Sequence, residues 1–465
     1  MAIDKVGHNA LNYQSKTILS KRQMKDAENY LPGGVTANIK YFAPYPIVMK
    51  KGKGAWLTDV DGNSYVDYLM GYGALALGHG HSRMNDAITE QLNQDGTHLF
   101  GTPHLKEVEF AKKIQQYYPS IKKLRYTNSG TEATQLAIRI AKVFTKKKKI
   151  AKFEGHYHGG FKEVLYSINP PLTEAGAIDR PIAVPESAGV EVDGLEPFIL
   201  PFNDVEGVEK IISQSHQEIA AVLIEPVQAG FILAEQAFMD KLRELTLKYG
   251  IILIFDEIKT GFRIALGGAQ ELYRIDPDIT TLGKIIGGGF PIGLVGGRED
   301  IMEVSSPKRG FDVFEAGVDG KETAKDVLFH SGTYNGHPTI LAAGLATIQE
   351  LEVSFPQIVN YTMELRKRIE EVGLKSGIPI RTYGAGTVFN VVWNEEKKLR
   401  HYRDLLQSNT MKRKELDFEL LQLGVYTKPL NRYSISAAHG DKELDHTISA
   451  YENVCYCFKE GSGVS

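Results

Sequence analysis

This sequence predicts an α/β fold: a mainly parallel sheet covered by helices on both faces, joined by a smaller second domain. Three observations lead there. The runs IAAVLIEP (219–226) and IILIFDE (251–257) are apolar without alternation, as strands buried on both faces are. Between them, residues 238–250 have amphipathic helical spacing and end on Gly250. At 465 residues, with 42% hydrophobic and 24% charged, the chain exceeds one minimal core and is far from a disordered composition.

Taken in order, residues 15–29 read as a helical arm, stopped by LPGGV at 31–35. Segments 47–50, 55–60 and 64–69 alternate in polarity around DGN at 61–63, which predicts a hairpin and a further short strand. Residues 105–117 and 131–143 have helical spacing. Strands are expected at LRYT before Asn128, then at 148–154, 219–226, 251–257, 279–284 and 292–297. The charged, aperiodic stretch 305–328 reads as a surface excursion. Two helices follow, at 339–353 and 357–372, then a strand–helix–strand succession at 378–393, 411–423 and 433–437. The expected division is an N-terminal arm and part of the small domain in 1–70, a large domain in 71–340, and an interdomain helix with the C-terminal small domain in 341–465.

Lys and Arg number 54 against 57 Asp and Glu, a formal net charge of -3. Phosphate backbones favour concentrated positive charge, so no nucleic-acid partner is expected. Cys455 and Cys457 are the only cysteines. One residue between them strains a mutual disulfide and matches no metal spacing. The opening residues lack a basic-then-apolar leader, and no run reaches the roughly 18 apolar residues of a membrane span. A soluble, cytoplasmic protein is expected, without membrane partner or metal.

Among the 46 glycines, clusters stand at 71–82, 155–160 and 283–297 with apolar residues between them. Tight turns and close backbone approach to a ligand are the two readings. Asp256 ends one apolar run and Glu225 another. Carboxylates there lie on the rim where open sheets bind ligands; a helix cap or an arginine-paired structural role is the alternative for Asp256. Lys284 is the only charged residue between Asp278 and Arg298. Set among glycines and apolar residues it is poorly solvated, which favours the neutral amine that imine formation needs. An ammonium reaching solvent is the other reading.

In NSGTEA (128–133), Ser129, Gly130 and Thr131 open a helix. Backbone N–H groups, hydroxyls and the helix field suit a phosphate there. A plain N-cap with Glu132 in the first turn explains the same residues. In FEGHYHGG (153–160), the Tyr157 ring suits one face of a planar heteroaromatic group. His156 and His158 have no third ligand nearby and are a weak metal signal, and HGH at 79–81 reads as structural. A phosphate cradle, an aromatic face, an imine-forming lysine and a carboxylate for a ring nitrogen are the parts that pyridoxal 5′-phosphate requires.

Seven motifs stand in one order: LPGGV (31–35), NSGTEA (128–133), FEGHYHGG (153–160), EPV (225–227), DEIKTGFR (256–263), PDITTLGKIIGGGFPIG (277–293) and SGTYNGHP (331–338). On them the sequence resembles the class III aminotransferases of fold type I, and among these the glutamate-1-semialdehyde 2,1-aminomutase group most closely, from about residue 30 to 450. The resemblance implies pyridoxal phosphate as cofactor, a large domain with a mainly parallel seven-stranded sheet, and a small α+β domain from both chain ends. It implies that Lys284 bonds the cofactor and shuttles the proton, and that Asp256 faces the pyridine nitrogen. It also implies that Ser129, Gly130 and Thr131 hold the phosphate and that Tyr157 stacks on the ring. Glu225 matches an acid that orients polar groups nearby. Thr333 matches a threonine that reaches the phosphate of a neighbouring subunit's cofactor, which implies a homodimer with shared sites.

Two departures bear on the substrate. Lys40 stands where the aminomutase pattern has an arginine, and GVYTKPLNRYSISAAH (424–439) lacks that group's gate acid, with Arg432 near its place. An arginine there resembles the way related aminotransferases for β-amino acids and D-arylglycines hold a substrate carboxylate. Lys40 is the weaker candidate, and a surface or ion-pair role is the other reading of Arg432. The resulting expectation is ping-pong transfer of an amino group between a carboxylate-bearing α- or β-amino acid and a 2-oxo acid. The alternatives are the glutamate-1-semialdehyde aminomutase reaction and amino-acid racemisation or epimerisation.

Overall fold

Seven strands form the main sheet. In chain order they are β1 (Lys123–Thr127), β2 (Lys149–Phe153), β3 (Phe198–Leu200), β4 (Ile219–Ile224), β5 (Ile252–Asp256), β6 (Ile279–Gly283) and β7 (Gly293–Gly297). They lie side by side as β1-β7-β6-β5-β4-β2-β3, and only β7 runs against its neighbours. Strands β4, β5 and β6 are buried at every position, which explains their unbroken apolar runs. Helix Gly130–Thr145 covers one face, packing Leu136 and Ile140 among Leu223, Ile254, Ile279 and Val295. Phe153 on β2 meets Phe238 of helix Gln236–Tyr249 edge-on, with ring centroids 5.6 Å apart. That helix stops at Gly250, whose φ of 60° is the left-handed cap that glycine adopts freely.

In this computed structural model the described residues are 12–307, 328–395 and 398–462. Most of the predicted excursion at 305–328 lies outside them. The chain divides into two units. The sheet unit holds the described residues among Arg83–Glu352 and Lys398–Leu405. The second unit holds those among Met1–Ser82, Val353–Lys397 and Leu406–Ser465. It contains an antiparallel meander, Met49–Lys53, Trp56–Asp59 and Ser64–Asp67, which Val425–Tyr426 joins in parallel. It also contains the hairpin Ile380–Ala385 and Val388–Trp393 with Tyr433–Ser434 alongside.

Besides added helices such as Ser82–Asp95, Val205–Ser215 and Asp441–Ser462, the structure departs from the sequence reading in three ways. Strand β3 is an addition; its three residues, between Pro197 and Pro201, are too few to show a period. Residues 378–393, expected as one strand, form a hairpin turned at Gly386, where φ is 58°. The two helices expected at 339–353 and 357–372 are one helix, Pro338–Ser376, with Pro356 inside it. Proline forfeits a backbone hydrogen bond, a cost of about 3 kcal/mol in a helix interior. Leu351 and Ile358, buried on either side of Pro356, carry the apolar spacing past it. Among the described residues no helix is long and apolar enough to cross a membrane, and no three His, Cys, Asp or Glu side chains gather as metal ligands.

Candidate active site

The carboxyl ends of β1, β6, β5 and β4 meet along one edge of the sheet. Register sets Asp256 opposite Thr281 and Phe255 opposite Ile224. Gly293, where β7 begins, lies opposite both Gly283 and Thr127. A cavity of about 310 Å³ opens at this edge, of the size a small cofactor needs. Ser129, Gly130, Thr131, Tyr157, Asp256 and Lys284 all line it, as do His158 and Lys259. The structure thus brings together most of the residues singled out from sequence.

At one end, Ser129 caps helix Gly130–Thr145, its Oγ accepting the Glu132 N–H at 3.2 Å. Glu132 returns the favour, accepting the Asn128 N–H at 2.6 Å. The N-cap reading is therefore realised, and the same turn presents Gly130 and Thr131 to the cavity. The first N–H groups of a helix and its field suit an anion. A Cβ on Gly130 would come 2.7 Å from Ile258, and one on Gly293 would come 2.1 Å from the Ser129 carbonyl oxygen. Glycine at both places lets β5, β7 and the turn close on each other.

Asp256 is buried. Its Oδ2 lies 2.8 Å from His158 Nδ1, and its Oδ1 accepts the Ile258 N–H at 3.1 Å. A carboxylate only accepts, so His158 Nδ1 carries the hydrogen. His158 Nε2 is buried without a protein partner. The next residue, Glu257, accepts from Ala269 N, Gln270 N and Thr260 Oγ1, which locks the turn after Asp256. Lys284 follows β6 directly and opens a short 3-10 turn with a left-handed φ of 49°. Such a conformation costs a lysine about 1–3 kcal/mol and persists only where the surroundings dictate it.

Tyr157 is 46% exposed. Its backbone N–H donates to Glu225 Oε2 at 3.0 Å, and Glu225 Oε1 is 2.5 Å from Lys259 Nζ. Glu225 is thus a buried acid that holds the Tyr157 backbone and the Lys259 side chain. His156 accepts the Glu225 N–H at 3.1 Å through Nδ1. Burial, with the charges of His158, Lys152 and Lys259, pushes its imidazole well below the ordinary range and keeps it neutral. The turn before Tyr157 is gripped from residues 398–405. Arg403 donates two hydrogen bonds to Glu154, from Nε to Oε2 and from Nη2 to Oε1, each 2.8 Å long, and Tyr402 packs on Gly155.

In the sequence alone nothing marks His158 as a partner of Asp256 or gives Lys259 a role. Both stand inside quoted motifs, but their partners are 98 and 34 residues away. Three sequence candidates lie elsewhere. Thr333 is exposed in the turn before helix Pro338–Ser376 and does not line the cavity. Lys40 and Arg432 belong to the second unit. Lys40 is exposed in a 3-10 turn, and Arg432 Nη2 donates to the Tyr72 carbonyl at 3.3 Å.

The donor set fits pyridoxal phosphate. A helix start with a hydroxyl faces one end, a buried acceptor held by an N–H faces another, and an amine and an aromatic face complete the wall.

Comparison with known proteins gives the same direction. The family model described as aminotransferase class-III matches residues 40–436. The glutamate-1-semialdehyde 2,1-aminomutase of Ignicoccus hospitalis is 42% identical over 435 residues, covering 91% of this chain and 96% of that one. The solved ω-transaminase of Sphaerobacter thermophilus is 33% identical, with a TM-score of 0.85 over 95% of this chain and 98% of that one. A solved transaminase with pyridoxal phosphate bound is 29% identical, with a TM-score of 0.84 over 97% and 99%.

Proposed function

The chain belongs to the class III aminotransferases, pyridoxal-phosphate enzymes, and from that premise we propose that it catalyses the 1,2-amino exchange of glutamate-1-semialdehyde. The observation that carries this reading is 42% identity to an aminomutase, spread over 91% of the chain. It outweighs the preference for transamination drawn from Lys40 and the missing gate acid.

When bound, the cofactor supplies an electron sink for negative charge on the carbon beside the substrate nitrogen. The protein's part is division of labour around the cavity. The turn Ser129–Thr131 holds the phosphate with N–H groups and hydroxyls. Asp256, fixed by the His158 N–H, keeps a proton on the ring nitrogen. Tyr157 covers one face and keeps water off it. Lys284 Nζ would carry protons to and from the substrate carbon bonded to nitrogen, while the amino group gained at one carbon would come from the cofactor and the one lost at its neighbour would return to it. Thr333, from a second copy of the chain, completes the phosphate site in a homodimer; sedimentation of a fully active monomer would contradict that.

Intermolecular transamination is the second reading. It is favoured by the 33% identity to a solved ω-transaminase and by Arg432, whose planar fork suits a substrate carboxylate. One experiment separates them. The protein is given glutamate-1-semialdehyde alone, then α- and β-amino acids of both hands without acceptor, and absorbance and products are followed. Conversion of the semialdehyde to 5-aminolevulinate, with negligible turnover of external donor–acceptor pairs, supports the exchange. Rapid release of a stoichiometric oxo acid from an added amino acid, with no 5-aminolevulinate, supports transamination instead. Inversion of the amino acid would point to racemisation.

A further inference from the structure

We propose that Lys259 is a positioning residue of this pocket, which with Glu225 fixes the Tyr157 ring in the cavity wall. The proposal rests on the reading that Tyr157 stacks on the cofactor ring. Stacking covers one face of the ring and does not by itself fix where the ring sits in the cavity wall.

The restraint is a three-membered contact. Lys259 Nζ lies 2.5 Å from Glu225 Oε1 and 5.4 Å from the centre of the Tyr157 ring. The other oxygen of Glu225 accepts the Tyr157 backbone N–H at 3.0 Å. One carboxylate therefore grips the backbone of Tyr157 while its counter-ion sits against the ring. The Lys259 and Glu225 side chains are 14% and 2% exposed, so the ion pair operates largely out of water, where ionic attraction is strongest, and the ammonium it holds meets the partly exposed Tyr157 ring. The Lys259 side chain is engaged by a carboxylate and a ring, which separates its place from that of Lys284 although both line the cavity.

The surroundings permit the test. Lys152, fully buried on β2, also lies within electrostatic reach of Glu225; burial pushes its ammonium down to about 7, so part of a positive charge stays near the carboxylate when Lys259 is replaced. His156, held neutral, accepts only the Glu225 backbone N–H. His158 is committed to Asp256.

Four proteins are compared with the wild type: Lys259→Met, Lys259→Arg, Tyr157→Leu and the double variant Lys259→Met/Tyr157→Leu. Lys259→Gln replaces the methionine variant if the latter does not fold. The readouts are the dissociation constant of added pyridoxal phosphate and the visible circular dichroism of the bound cofactor at saturation. Lys259→Met is expected to weaken cofactor binding about tenfold and to diminish the dichroic band, with Lys259→Arg restoring both to within about twofold. In the Tyr157→Leu background, Lys259→Met is expected to add nothing. Unchanged affinity and dichroism in Lys259→Met would overturn the proposal. So would an effect of full size in the Tyr157→Leu background, because Lys259 would then act elsewhere. Wild-type affinity in Tyr157→Leu alone would overturn the stacking reading itself.

Discussion

His158 Nδ1 donates to Asp256 Oδ2 across 2.8 Å, with side chains 0% and 4% exposed. A hydrogen bond to a buried charge contributes about 1.5–3 kcal/mol. Asp256 keeps its orientation through this contact. His158→Phe is therefore expected to lower kcat about 10- to 100-fold, with a smaller loss in His158→Asn, whose amide can still donate. Steady-state kinetics at saturating cofactor would show it. Equal activity in the wild type and in His158→Phe would mean that Asp256 needs no such support.

The Arg403–Glu154 fork holds the turn that leads to Tyr157, and its side chains are 12% and 8% exposed. Removing one partner of such a pair strands the other charge, at a cost of about 3 kcal/mol. Arg403→Met should lower the urea midpoint clearly. Adding Glu154→Gln should recover part of that loss, since no buried charge is then left alone. If the double variant is less stable than Arg403→Met, the fork is not the source of the effect.

His156 is kept neutral in the fold, with its imidazole pushed well below the ordinary range. The unfolded chain takes that proton first, at about pH 6.5. Stability is thus fully present above about pH 6.5 and is lost as pH falls below it, by up to about 1.4 kcal/mol per pH unit for one proton. His156→Asn can still accept the Glu225 N–H and carries no such proton. Urea unfolding at pH values from about 7.5 down to about 5 should show a shallower acid slope in the variant. His330 and His337, also lowered by burial, contribute equally to both proteins.

Cys455 is buried in helix Asp441–Ser462, and burial pushes its thiol up to about 12, whereas Cys457 is exposed. A thiol reagent should label one cysteine in the native protein and two in denaturant. Peptide mapping should place the native label on Cys457.

Much of the catalytic edge was legible because it stands on buried strands. A strand covered on both faces must be apolar throughout, so Asp256 and Lys284 show as charges at the ends of such runs. Ser129 was legible as a helix start for similarly local reasons. What sequence hid was pairing over distance. Lys259 reads as an ordinary loop lysine until the fold sets Glu225 beside it, and His158 reads as half of a weak metal pair until Asp256 faces it. The reach of Arg403 to Glu154 spans 249 residues and leaves no local pattern at all. The two expected helices are one because a single missing hydrogen bond at Pro356 does not end a helix whose apolar spacing continues past it.

Two lysines line the cavity, Lys259 and Lys284, and only the second is assigned to bond the cofactor. Borohydride reduction of the cofactor-loaded protein, followed by peptide mapping, distinguishes them directly. A single reduced label on Lys284, absent in Lys284→Ala, is the expected result. A label on Lys259 or another lysine, or none at saturating pyridoxal phosphate, would contradict it.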